Sequence, residues 1–150
     1  MTDNVVKLRQ EPRVSILPVL DGDFDEFLPI GMELIAPAVA RQSENVTMQD
    51  VEDDIRDGGT IMWVVHVEDT LVAAITTCVV KHPQRNTLKI EFMGGTRMKQ
   101  WMDKAIDALS QLAKKAGLDA LEADGRKGFE KYVEASPFRE VYTHYVMELH

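Results

Sequence analysis

Apolar positions recur along the chain with two different periods, and the switches between them mark out the elements. The stretch RVSILPVL (13–20) is apolar and β-prone, which predicts a first strand after a loose arm spanning residues 1–12. From Phe24 to Arg41, the residues Phe24, Phe27, Leu28, Met32, Ile35 and Val39 keep helical spacing, with Pro29 and Pro37 placed to bend or interrupt the helix. A short second helix is expected over 47–57. Thr47 and Asp50 make a capping-box pair, Met48, Val51 and Ile55 form a narrow stripe, and Gly58-Gly59 stops it.

Three strands come next with short breaks. TIMWVVHVED and TLVAAITTCVV turn near Glu68-Asp69-Thr70, and HPQRN separates the second from TLKIEFM. The run Val72–Val80 is apolar at nearly every position, as in a strand covered on both faces. In the third strand a period of two puts Ile90 and Phe92 on one face and Glu91 on the other. Residues 97–116 carry the clearest helical stripe, Trp101, Ala105, Leu109, Leu112 and Ala116, ended by Gly117. LDALEA then reads as a strand, RKGFEKYVEAS as a helix and FREVYTHYVMELH as a last long strand. The order β-α-α-β-β-β-α-β-α-β predicts an α/β fold, a mixed sheet with helices on both faces, in which the 97–116 helix crosses over between two parallel strands.

Composition narrows the classes. A chain of 150 residues with 45% hydrophobic and 28% charged residues is the size and mixture of one globular domain, here 13–150. No apolar run reaches the roughly 18–20 residues of a membrane span, and MTDNVVKLRQEPR lacks the apolar core of a secretory leader. Cys78 is the single cysteine and has no partner for an internal disulfide, so an intracellular, cytoplasmic location is expected. A net charge of −8 argues against a nucleic-acid groove as the main function. The charge is uneven, however. Acids crowd 21–27 and 49–57, whereas Lys81, His82, Arg85, Lys89, Arg97 and Lys99 gather within twenty residues, as a basic rim for an anion or a solvated face would.

Within that basic stretch lies IEFMGGTRMKQWM (90–102), where a strand passes through Gly94-Gly95 into a helix. Helix-start amides lack intrahelical partners and favour a phosphate, while two glycines also serve a tight turn. The four histidines, at 66, 82, 144 and 150, show no metal-ligand spacing, and no metal site is expected. Cys78, inside an apolar strand, reads as a small buried hydrophobe.

The element order, together with IEFMGG, AKKAGLDALEADGRKGFEKY and YVMEL, resembles the GNAT (GCN5-related N-acetyltransferase) superfamily over residues 13–150, and more narrowly its phage- and prophage-encoded members. The resemblance implies a mostly antiparallel sheet whose fourth and fifth strands splay around acetyl-CoA as cosubstrate. Phe92, Met93, Gly94, Gly95, Thr96 and Arg97 would then hold the cofactor, with Arg97 at the basic position of the pyrophosphate motif. Met98, Gln100 and Met102 depart from the glycines usual there. Glu91 would act as the catalytic base and Tyr132 as the acid for the leaving thiolate, although Tyr132 stands one residue from the family position. The implied activity is N-acylation of a small-molecule or protein amine in a bacterial host. The alternative is a non-catalytic virion or assembly protein of the same fold. A homodimer or a virion association is compatible with either.

Overall fold

The computed structural model describes residues 11–125 and 127–149. Most of the expected arm, residues 1–10, lies outside them. Five strands form one sheet in the order β1-β2-β3-β4-β5, with β1 Val14–Pro18, β2 Ile61–Val67, β3 Thr70–Lys81, β4 Asn86–Gly95 and β5 Ala120–Ala123. The first four are antiparallel neighbours, and β5 joins β4 in parallel. The helices are α1 Phe24–Ala40, α2 Met48–Arg56, α3 Met98–Lys115 and α4 Glu130–Glu134. Among the described residues, no helix is long and apolar enough to cross a membrane.

The two faces of the sheet bury separate cores. One face packs α1 and α2 through Leu28, Met32, Ile35, Val39, Val51 and Ile55 against Met62, Val64, Ala74 and Phe92. The other packs α3 through Trp101, Met102, Ala105, Leu109 and Ala113 against Trp63, Val65, Ile75, Leu88 and Ile90. Helix α1 runs unbroken through both prolines. Pro29 and Pro37 are exposed, so water can serve the carbonyls of Asp25 and Glu33 that their missing N–H groups leave free. Helix α2 starts on the reciprocal capping box that its sequence predicts, Thr47 Oγ1 accepting from the Asp50 amide and Asp50 from the Thr47 amide. Helix α3 is the crossover that parallel pairing of β4 and β5 demands.

Two expectations are corrected. Residues 138–149, read as part of a last long strand, have no regular secondary structure and pair with no strand of the sheet. The shared face of Ile90 and Phe92 also fails. Ile90 lies in the α3-side core and Phe92 in the α1-side core, because an irregularity in β4 falls between them.

Candidate active site

That irregularity builds the site. On β3, Thr76 pairs with Phe92 and Thr77 with Ile90, so Glu91 is the extra residue of a β-bulge. A bulge re-aims its side chain and reverses the facing of everything after it. Two threonines buried to 0% exposure, Thr76 and Thr77, support the kink from the partner strand. Thr76 Oγ1 accepts the Phe92 N–H at 3.0 Å, and Thr77 Oγ1 accepts from Trp63 Nε1 at 2.9 Å. The sheet also divides here. Pairing of β4 with β5 runs from Thr87↔Ala120 to Ile90↔Ala123 and stops, while β4 continues through Glu91 to Gly95. The β5-facing edge of Glu91–Gly95 therefore has no strand against it among the described residues.

Glu91 looks into a cleft of about 110 Å³ lined by Asp50, Asp54, Thr60, Lys89, Phe92 and Asp124, among others. This is well below the ~300 Å³ of a typical whole-ligand pocket, and suits an amine group better than a nucleotide. Thr60, nearly buried at the start of β2, donates its hydroxyl to Glu91 Oε1 at 2.9 Å. Cys78 lies beside the same carboxylate, and burial together with that negative charge pushes its thiol up to about 11. It therefore stays protonated, as a donor and not as a nucleophile. Lys89 Nζ pairs with Asp124 at 2.9 Å, a bond that raises the lysine above its ordinary range. With Lys89 so matched, Asp50, Asp54 and Glu91 leave the cleft acidic.

Past the bulge, the chain reaches the start of α3 under tight constraint. A side chain on Gly94 would overlap the Leu34 carbonyl of α1, and one on Gly95, at φ +142°, would overlap Val72 and Ala73 of β3. Close packing thus accounts for both glycines. Thr96 donates its N–H to the Val72 carbonyl at 2.9 Å and accepts from Trp101 Nε1 at 2.7 Å, which anchors the loop to the core. Arg97, the N-cap of α3, holds the left-handed conformation, φ 58° and ψ 33°, which costs a non-glycine residue roughly 1 kcal/mol. It is exposed, as are Lys99 and Gln100, and no acidic residue stands in the first turn. Met102, at a position where the resemblance leads one to look for glycine, is 3% exposed and points into the α3-side core, away from the loop.

Tyr132 is on the other layer. It packs against the α3-side core, and its hydroxyl donates to Asp103 Oδ1 at 3.2 Å. Burial first, then the Asp103 charge, pushes it up to about 12. It is absent from the lining of the Glu91 cleft, whereas Glu91 and Phe92 are both part of it. The sequence reading missed Thr60, Thr76 and Asp103. Each meets its partner across elements, and nothing local in the sequence announces it.

No family model matches the sequence, and no curated protein sequence matches it. Solved structures share its fold across nearly the whole chain. A ribosomal-protein-alanine N-acetyltransferase from Brucella melitensis biovar Abortus 2308 is 16% identical, with a TM-score of 0.67 over 92% of this chain and 100% of that one. A transcriptional regulator from Bacillus halodurans C-125 is 12% identical, with a TM-score of 0.65 over 91% and 100%. An aminoglycoside N-acetyltransferase, AAC(6')-Iy, in complex with CoA is 9% identical, with a TM-score of 0.64 over 94% and 97%.

Proposed function

We infer from the architecture, a five-stranded, mostly antiparallel sheet flanked by helices as in the GNAT fold, that the site serves acyl transfer. We propose that the protein is an acyl-CoA-dependent N-acyltransferase, and the observation that carries this is the fork at Glu91: a bulged, partly buried carboxylate where β5 stops and β4 continues alone. The free edge of Glu91–Gly95 is matched to the extended amide chain of acetyl-CoA, which would add to it as a strand adds to a sheet. The diphosphate would meet the unpaired amides of Met98 and Lys99 with the cations of Arg97 and Lys99 beside them.

In this reading the acidic cleft draws in a cationic amine, and Glu91 takes its proton directly or through water. The neutral nitrogen then attacks the thioester carbonyl, forming the C–N bond. The C–S bond breaks, the nitrogen gives up its second proton to water to become the amide, and CoA leaves as a thiolate that acquires a proton from solvent. Thr60 holds the Glu91 side chain in place, with the Cys78 thiol beside it. The excess of carboxylates favours acceptors with several ammonium groups, the chemistry that the CoA-bound neighbour's name also indicates.

Calorimetry with acetyl-CoA should give micromolar affinity, about −8 kcal/mol. Release of free thiol should follow with a panel of polyamines and aminoglycosides. Glu91→Gln should lower turnover about 10²-fold or more with affinity for acetyl-CoA nearly unchanged. No heat at millimolar acetyl-CoA would overturn the reading. It would leave the second one, a virion or assembly protein that keeps the fold without turnover. Among the described residues that line the cleft there is no tyrosine, Tyr132 being bonded to Asp103 on the other layer, and this favours that alternative.

A further inference from the structure

Lys89, Glu91 and Asp124 line one cleft, a single cation among carboxylates. Lys89 and Glu91 are two residues apart on β4, a spacing of about 7 Å along a strand, which the length of a lysine side chain can bridge. A lysine so placed has a carboxylate of its own strand to turn to. Its Nζ instead crosses to the neighbouring strand and pairs at 2.9 Å with Asp124, the residue just past the end of β5. The register partner of Lys89 on β5 is Glu122, but that carboxylate is already taken by the Thr87 hydroxyl and by His82 Nε2, both at 2.7 Å. Asp50, on the far side of the cleft, accepts from the Thr47 amide in the cap of α2.

Glu91 keeps neutral company. Its hydrogen bond comes from the Thr60 hydroxyl at 2.9 Å, and the thiol beside it, Cys78, stays protonated. A carboxylate paired with an ammonium is a weaker base, because the cation favours its charged form and occupies the oxygens that an incoming amine must reach. We propose that Asp124 is a positioning residue: it holds Lys89 to the β5 side of the cleft, so that Glu91 stays free for the proton of the acceptor amine. The consequence for rate rests on the acyl-transfer reading, whereas the choice of partner by Lys89 does not. Stability gives the pair little other reason to exist. The Lys89 side chain is 30% exposed and that of Asp124 63%, so water screens their attraction, and its loss leaves the fold standing. What the pair sets is where a mobile cation rests, at the point where β5 stops and β4 goes on to Glu91.

The test uses the full chain and has two readouts. In isotope-labelled protein, NMR couplings across the hydrogen bond show which carboxyl carbon the Lys89 ammonium is bonded to. In the unaltered protein this should be Asp124, and in Asp124→Asn it should be Glu91. With acetyl-CoA and the panel of polyamines and aminoglycosides, kcat of Asp124→Asn should fall about tenfold or more. Adding Lys89→Met to that variant should restore most of the loss, since it removes the cation that Asp124 no longer holds. A tie that merely closes the end of β5 predicts the reverse, a double variant no faster than the single one, and that result would overturn the proposal. A coupling to Glu91 in the unaltered protein would overturn it too, as would a Lys89 that does not move to Glu91 in Asp124→Asn. Absence of turnover in every protein, with the change of partner observed, would overturn the acyl-transfer reading and uphold the pairing. Should circular dichroism show Asp124→Asn unfolded, Asp124→Ser takes its place in both measurements.

Discussion

Arg97 shows how a single backbone angle can be read as a demand of the site. A left-handed arginine at a helix start is disfavoured twice, by its Cβ and by the positive end of the helix dipole beside its charge. Arg97→Gly removes the steric cost, so thermal melting should show a protein at least as stable. Its affinity for acetyl-CoA should fall by roughly 1–3 kcal/mol as a charge-assisted bond is lost. A variant of unchanged affinity would mean that the arginine holds no phosphate. Glu91 itself was legible in the sequence as a carboxylate on the strand before the glycines. Its bulge was not, because a bulge is a statement about register against β3, and Thr76 and Thr77 lie far away in the chain. Tyr132 was legible only as a half-buried aromatic; that its hydroxyl meets Asp103 depends on how α4 docks on α3. Tyr132→Phe should therefore cost about 1 kcal/mol in chemical denaturation and leave turnover unchanged. A tenfold loss of turnover would restore it as the acid.

Elements announced themselves where local chemistry defines them. The capping box of α2, the α3 stripe at Trp101, Ala105 and Leu109 and the helix's stop at Gly117 could be read before any packing was known, whereas Leu112 and Ala116 are exposed and Met102 and Ala113 are buried in their stead. The last strand could not, since alternation proves a preference for a ladder and not its presence. The short β4–β5 pair has its own dependence on pH. Glu122 of β5 accepts from Thr87 Oγ1 at 2.7 Å and meets His82 Nε2 at 2.7 Å. The Thr87 hydroxyl chiefly, with His82, holds the Glu122 carboxyl below its ordinary range. A lowered folded value means that the stabilisation is complete above the unfolded value, near pH ~4.3, and fades as pH falls through the folded one. Thr87→Val should raise the Glu122 midpoint in an NMR titration. It should also destabilise the protein by about 1 kcal/mol at neutral pH, with less effect in acid, where the carboxyl is protonated in either protein.

Across the whole molecule, the opening of the sheet separates opposite charges. The carboxylates of Asp50, Asp54 and Glu91 lie on one side, and Arg97 and Lys99 at the start of α3 on the other. In the proposed reaction, a cationic acceptor and an anionic donor would approach from different directions. Affinity for acetyl-CoA should accordingly weaken as salt is raised, which calorimetry at two ionic strengths would measure. The bulge has a consequence of a different kind, for how this chain can change over evolutionary time. Strand β4 carries a phase, much as a coding sequence carries a frame. Before Glu91 its residues address one layer on even numbers, and after it they address the same layer on odd ones, since Leu88 and Ile90 share a core with Met93 while Phe92 lies in the other. Loss of one codon here would restore a regular strand and misdirect every residue from Phe92 to Gly95, moving Gly94 out from under Leu34. Substitutions along this strand can be absorbed one at a time. A single-residue insertion or deletion there requires a second of opposite sign close by, so the length of β4 should drift far more slowly among descendants than its composition.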